Sequence, residues 1–363
     1  MQFPRMPWQH NLGPIGLDLG ADAPHAMQVR LGVDAPTAHC AARVETSPTL
    51  IDRTRAAIHA LRCAGFVGRE VVVGLSSSCA SMHVARFPTL ESDDHREAVA
   101  WEAAERSAIP RESIVADSLA TLAPSSGTDS KSEYLVVSAN ATELTDAHDL
   151  LIESGFEPIA VEPRFASIAR ALARRVRRDA DSNHIRAVLH VERAGSTVLV
   201  LRGDRVAFCR EITLGGGALD QAVAARLSIS VEAAAVLRDR RIAYARGVAP
   251  TIDPIAEEAA LAATRPTIDA IANELALCLR YFGVTFRGGQ PTRVILSGPH
   301  GAEPRLAGII EETCRANVSS FETELPSAAV ELTGGSCETP AAYLAAYGLS
   351  CRGRAVLAKE VAA

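Results

Sequence analysis

Lysine-based chemistry is almost closed to this chain. Of 37 Lys+Arg only two, Lys131 and Lys359, are lysines, and the other 35 are arginines. Neither lysine follows a glycine, so the phosphate-binding pattern G-x-x-x-x-G-K-[ST] is absent. Lys131 lies in a polar, Ser-rich stretch and Lys359 near the C-terminus. Neither setting strips an amine of water for Schiff-base or pyridoxal chemistry. A phosphate would have to be held by backbone amides, a metal or arginine. Gly215-Gly216-Gly217 supplies amides where a predicted helix starts at Ala218, a helix N-terminus suited to an anion. Equally, such a run is a flexible turn into the helix. Neither G-x-S-x-G nor H-E-x-x-H occurs, which leaves serine-hydrolase and zinc-protease readings without support. The eight cysteines (40, 63, 79, 209, 278, 314, 337 and 351) contain no C-x-x-C. Several, such as Cys63 and Cys278, fall inside helical apolar patterns, so buried reduced thiols are expected rather than disulfides.

A chain of 363 residues that is 48% hydrophobic and 22% charged has room for two domains and a large core. A net charge of -6 argues against a broad nucleic-acid footprint, and 4% aromatics against base-stacking platforms. The arginine runs Arg170, Arg174, Arg175, Arg177, Arg178 and Arg238-Asp239-Arg240-Arg241 read as solvated helix faces. No stretch approaches ~18 uninterrupted apolar residues, and Met1 to Gly13 has no apolar signal region. The expected setting is cytoplasmic, with any membrane role exercised through a partner.

The elements repeat. Pro14 to Gly20 is an apolar strand ending in Asp-Leu-Gly, followed by strands at Ala26–Leu31 and His39–Glu45, a helix at Thr49–Ala64 stopped by Gly65, and a buried strand at Val71–Leu75. The stretch 81–155 reads as a small α/β insert. It has strands at Met82–Phe87, Ile114–Leu122 and Tyr134–Ala139, a helix at Asp93–Ala108, a solvated loop at Pro124–Ser132 and a helix from Thr142 to Ser154. A strand at Phe156–Val161 and a basic helix at Pro163–Arg178 lead to Ile185, where the opening pattern returns. Ala187 to Glu192 takes the place of Ile15 to Gly20, and Val198–Leu201 that of Ala26–Val29. Further helices are predicted at Ala218–Leu227, Val231–Ala245, Thr267–Phe282, Arg305–Arg315 and Ala341–Leu349, with a strand at Arg293–Leu296.

Five stretches, in this order and spacing, carry a resemblance: Ile15-Gly16-Leu17-Asp18-Leu19-Gly20, Gly155 to Glu162, Phe208 to Gly216 (Phe-x-Arg-x-Ile-x-x-Gly-Gly), Asn273 to Phe282, and Tyr347-Gly348-Leu349. The chain resembles PilM, the actin-like type IV pilus assembly protein related to FtsA, with degenerate nucleotide motifs. The resemblance covers about residues 14 to 353. It implies an α/β fold of two tandem actin-like (ribonuclease H-like) domains with a small inserted subdomain. The implied parts are an N-terminal tail (1–13), a first domain (14–80 and 156–183), the insert (81–155), a second domain (184–353) and a C-terminal tail (354–363).

The resemblance also implies a cofactor, ATP with Mg2+, held between two hairpin turns, with glycines letting amides approach the phosphates. Asp18 is the implied metal-orienting residue, usually acting through water. Gly20 and Ala21 belong to the first turn, Gly195, Ser196 and Thr197 to the second, Gly215, Gly216 and Gly217 to the helix start, and Gly298 to the adenosine-side turn. Departures are marked. The second turn reads His190-Val191-Glu192 in place of Asp-x-Gly, and Glu192 would oppose a phosphate at ~4 Å by about 4 kcal/mol at an effective dielectric near 20. His190, lacking partners at metal spacing, reads as structural. Pro299 removes an amide from the adenosine side. The resemblance and these departures together imply a scaffold that either keeps ATP without efficient hydrolysis or has lost it, docked on an inner-membrane pilus or type II secretion platform. Its partner would be the cytoplasmic N-terminal peptide of a PilN-like single-pass protein, seated between the first domain and the insert. The alternative is an active actin-like ATPase or small-molecule kinase, with Glu162 as its remaining carboxylate beside Asp18.

Overall fold

A computed structural model of the chain describes residues 12–20, 24–31, 37–43, 47–107, 109–122, 131–173, 183–247, 251–286, 289–321 and 340–352. Ala21, Cys337, most of the loop at 124–132, the arginines at 174–178 and most of both tails lie outside them.

Two five-stranded sheets carry the molecule. The first has the order β3-β2-β1-β4-β8, from β1 (Ile15–Asp18), β2 (His25–Arg30), β3 (Thr37–Arg43), β4 (Glu70–Leu75) and β8 (Glu157–Pro163). The second repeats that order as β11-β10-β9-β12-β13, from β9 (Ile185–Val191), β10 (Ser196–Arg202), β11 (Arg205–Ile212), β12 (Arg293–Ser297) and β13 (Asn317–Ser320). In each, three antiparallel strands are extended by two parallel ones. Leu17 lies opposite Ala26 and Leu189 opposite Val198, so the sequence repeat is a register repeat. Strands buried on both faces need unbroken apolar runs, which is why Val71-Val72-Val73 and Val198 to Leu201 have no polar alternation.

Between β4 and β8 stands a three-stranded sheet, order β5-β7-β6, of β5 (Ala80–Phe87), β6 (Ile114–Ala120) and β7 (Ser132–Asn140). Helix α2 (Ser92–Ser107) covers one face through Val99 and Ala103, packed on Ala85, Phe87 and Val136. Helices α1 (Leu50–Cys63) and α3 (Ala141–Glu153) cover the outer face of the first sheet. The cap of α3 is Asn140, whose side chain accepts from two amides, rather than Thr142. On the second sheet lie α5 (Gly216–Leu227), α7 (Pro254–Thr285) and α8 (Leu306–Cys314), with α6 (Val231–Ala245) against α5.

Between the two large sheets run α4 (Arg164–Ala173) and α9 (Leu344–Ser350), whose Phe165, Ile168, Leu172, Leu344 and Tyr347 share a core with Met27, Val188 and Leu199. The contact is backbone-close. A Cβ on Gly16 would come within 2.1 Å of the Ala346 carbonyl, and one on Gly348 within 2.0 Å of the Ser167 carbonyl. Two glycines of the quoted motifs are therefore packing requirements.

Three expectations are corrected. Helix α7 begins at Pro254, capped by Asp253, and continues through Pro266, so the proline that suggests a boundary is interior. The short β13 is polar and unpredicted. Cys63 is exposed rather than buried; the seven described cysteines are all free.

Candidate functional site

The carboxyl ends of β1 and β9 face each other across the cleft between the two large sheets. Asp18 lies beside Gly74 on the parallel β4 and opposite His25 on β2. His190 holds the equivalent place, beside Ser297 on β12 and opposite Thr197 on β10. Its Nδ1 is 3.0 Å from the Ser297 hydroxyl. Burial, then the nearby Arg164 and His25, hold the His190 pKa well below the usual imidazole value, so the ring is neutral at pH 7. It is a buried histidine with a hydroxyl partner.

Arg164, the first residue of α4, fills the space between the two strand ends. Its Nε and Nη2 donate to one Asp18 oxygen at 3.0 and 2.8 Å, and its Nη1 pairs with the Glu192 carboxylate. All three side chains are nearly or fully out of solvent: 7% exposed for Arg164, 4% for Asp18 and 11% for Glu192. Buried charges persist only when paired, and a guanidinium fork suits two carboxylates. The space left among Asp18, Gly20, His25, Arg164, His190, Glu192, Pro299 and Ala342 is about 10 Å3, about what one water needs.

The glycines converge on the same place, and the amides of Gly216, Gly217 and Gly298 are engaged within the fold. Gly216 and Gly217 donate to the carbonyls of Glu192 and Arg193 at 2.7 and 2.8 Å, and Glu192 donates to the Gly195 carbonyl at 2.9 Å. Ser196 turns its hydroxyl to the Leu214 carbonyl, 2.7 Å away, and Thr197 lines a crevice with Arg164, Glu192 and Glu211. Gly215 packs so tightly that a Cβ would meet the Glu192 carbonyl at 2.3 Å. On the adenosine side Gly298, at φ +89°, donates to the Ala341 carbonyl at 3.1 Å, and His300 stacks its ring on Gly216. As arranged, these residues do not fit a magnesium nucleotide: the carboxylates hold a guanidinium, and the amides of Glu192, Gly216, Gly217 and Gly298 hold carbonyls.

Next to that turn lies a second ionic cluster. Arg238 donates to Glu303 at 2.7 and 3.1 Å and to Asp220 at 2.5 Å, while Arg241 reaches Glu303 at 3.3 Å and Glu257 at 2.7 Å. Arg193 meets the other Asp220 oxygen at 3.1 Å. Burial pulls the Arg238 pKa down, but Glu303 and Asp220 overcome it and hold the pKa above its ordinary value. His300, buried beside Arg238 and Arg193, is depressed to about 3. The expectation of a solvated face for Arg238 and Arg241 is corrected: both are wholly buried, because their helix presents them to carboxylates of α5 and the 298–305 turn. Glu162, the alternative's carboxylate, sits under two arginines, Arg170 at 2.5 and 2.6 Å and Arg352. Ala21 lies outside the described residues.

The model of the family described as type IV pilus assembly protein PilM matches residues 45–353. The chain belongs to that family. A solved PilM-PilN type IV pilus biogenesis complex matches with a TM-score of 0.73 at 21% identity, over 95% of this chain and 99% of that one. The ethanolamine utilization protein EutJ from Carboxydothermus hydrogenoformans matches with a TM-score of 0.53 at 11% identity, over 97% of this chain and 92% of that one. No curated protein matches in sequence. The fold is the α/β actin-like ATPase fold, as the repeated sheet order indicates. Among the described residues no helix is long and apolar enough to cross a membrane, and no three His, Cys, Asp or Glu are grouped to hold a metal ion.

Proposed function

We propose that this protein is a cytoplasmic-face scaffold of a type IV pilus or related secretion platform, docking the N-terminal cytoplasmic segment of a PilN-like inner-membrane protein. Family membership and the near-complete overlap with a PilM chain solved with PilN support the reading. The observation that carries it locally is the outer edge of the first sheet, where β8 ends the strand order and packs against α3. Val161 of β8 is 43% exposed. A short extended segment with apolar anchors suits such a sheet edge. An active ATPase or kinase is the competing reading, and the carboxylates it would draw on do not favour it, since Asp18, Glu192 and Glu162 are all ion-paired.

The test is titration of the full chain with the cytoplasmic N-terminal peptide of a PilN-like single-pass membrane protein from the same genome. Saturable binding that weakens by about tenfold or more in Val161→Glu, about 1.4 kcal/mol, supports the reading. Absence of binding, or binding untouched by Val161→Glu, contradicts it.

A further inference from the structure

The actin-like fold implies a magnesium nucleotide between the ends of β1 and β9, and the residues there do not fit one. We propose that Arg164 is a built-in ionic clasp: its guanidinium stands where metal and phosphate would have to enter, ties the two halves of the cleft together, and keeps the cleft closed without nucleotide. The clasp involves the cleft alone and stands whether or not the partner reading holds.

Three independent features carry it. First, Arg164 links carboxylates from different sheets, Asp18 at the end of β1 and Glu192 just beyond β9. No direct contact between those carboxylates is needed for coupling, because one guanidinium serves both. Second, Arg164 cannot swing aside cheaply. It opens α4, whose next residues Phe165, Ile168 and Leu172 are buried in the core between the sheets. Leaving would also strand two buried carboxylates, which is strongly unfavourable. Third, the chain itself occupies much of the remaining subsites. The amides of Glu192 in the second turn, Gly216, Gly217 and Ala218 at the α5 start, and Gly298, His300 and Gly301 in the 298 turn donate to carbonyls within the fold. Behind the 298 turn, Glu303 is held by Arg238 and Arg241. Glu192 adds a fixed negative charge that a phosphate would have to approach.

The clasp also gives the scarcity of lysine a local counterpart. A guanidinium keeps its charge when buried and offers a planar fork to two carboxylates, whereas a lysine would present one point charge with a pKa that burial lowers. Closure then becomes a fixed property of the folded chain. In a protein whose cleft is gated by a ligand, the closed fraction follows ligand concentration; here it does not.

The experiment uses the full chain in two arms. In the first, Mg-ATP and Mg-ADP are titrated into the wild type by calorimetry, with thermal unfolding in parallel. The expected result is no saturable heat and an unchanged Tm. A Kd of about 0.1 mM or tighter, with the matching rise in Tm, overturns the clasp. In the second arm, Arg164→Gly removes the guanidinium and leaves its cavity. The expected result is a Tm lowered by several degrees and partly restored by low millimolar guanidinium chloride, with no recovery in equimolar sodium chloride. An Arg164→Gly protein as stable as the wild type overturns the proposal. Should Arg164→Gly fail to fold, the nucleotide arm still decides.

Discussion

The first and second strand-end turns are the same piece of topology carrying different chemistry. Asp18 and His190 occupy equivalent register positions in sheets of identical strand order. One is a carboxylate ion-paired to Arg164; the other is a neutral imidazole beside a serine hydroxyl. Two residues further on, Gly20 stands against Glu192, and the glutamate again meets Arg164. The lesson is that duplication of a fold copies backbone and packing, while the side chains at strand ends diverge independently. What binds the two turns is a residue belonging to neither, at the start of α4.

A second contrast lies within the cleft wall. The Arg164 cluster is a single cation between two anions. The Arg238 cluster is a denser network in which Asp220, Glu303 and Glu257 alternate with Arg193, Arg238 and Arg241. The largest expected effect falls there. Arg238→Ala leaves Asp220 and Glu303 short of a partner at full burial and should cost about 3–5 kcal/mol, read by chemical denaturation. A smaller loss would mean that Arg241 and Arg193 redistribute to cover both carboxylates.

Arg164→Met should cost somewhat less, about 3 kcal/mol, because Glu192 lies closer to solvent than Glu303 does. If it instead exceeds Arg238→Ala, the ranking of the two clusters is reversed.

Acid separates the two turns as well. His190 and His300 are neutral in the fold and bind protons readily once unfolded. Their stabilisation is complete above the unfolded pKa near 6.5 and is lost as the pH falls from there toward the folded value, about 3 for His300. For His300 the slope in that window is about 1.4 kcal/mol per pH unit, so at pH 5 its loss is about 2 kcal/mol; His190 acts in the same direction. His300→Asn should flatten the profile by one proton, measured as unfolding free energy between pH 7 and 5. An unchanged slope would show that His300 titrates normally.

His190→Asp makes the second turn resemble the first. Ser297 can donate one hydrogen bond to the new carboxylate, but Arg164 already serves two, so the expected cost is about 1–3 kcal/mol. A gain in stability would indicate that Arg164 has capacity for a third anion. The smallest effect belongs to Arg170→Ala, about 1 kcal/mol, because Arg352 still covers Glu162.

Much of this architecture is legible in the sequence because it rests on local signals. Apolar runs announce buried strands, Gly65 and Gly155 stop helices, and Ile15 to Gly20 aligns with Ala187 to Glu192 without any tertiary information. The N-terminal part of α7 is hidden by Pro266, since a proline is a boundary more often than an interior residue. The ion clusters are hidden for a different reason. Arg164 meets Asp18 across 146 residues, and Arg238 meets Glu303 across 65. Charges that rescue one another at such separations leave no periodic trace. Arg238 and Arg241 read as solvated because a dense charge run usually is. The one available hint is their i, i+3 spacing, which places both on one helix face. The glycines of the quoted motifs are legible as positions but ambiguous as roles, and at Gly16 and Gly348 the backbone contacts of α9 account for them.

The link between the two turns is most directly measured by a double-mutant cycle of Arg164→Met and Glu192→Gln, read as unfolding free energy at pH 7. The clasp predicts that the double variant loses less than the sum of the single losses, by about 1–3 kcal/mol. Losses that add within about 0.5 kcal/mol would mean that Arg164 and Glu192 act independently, and that no ionic tie crosses the cleft.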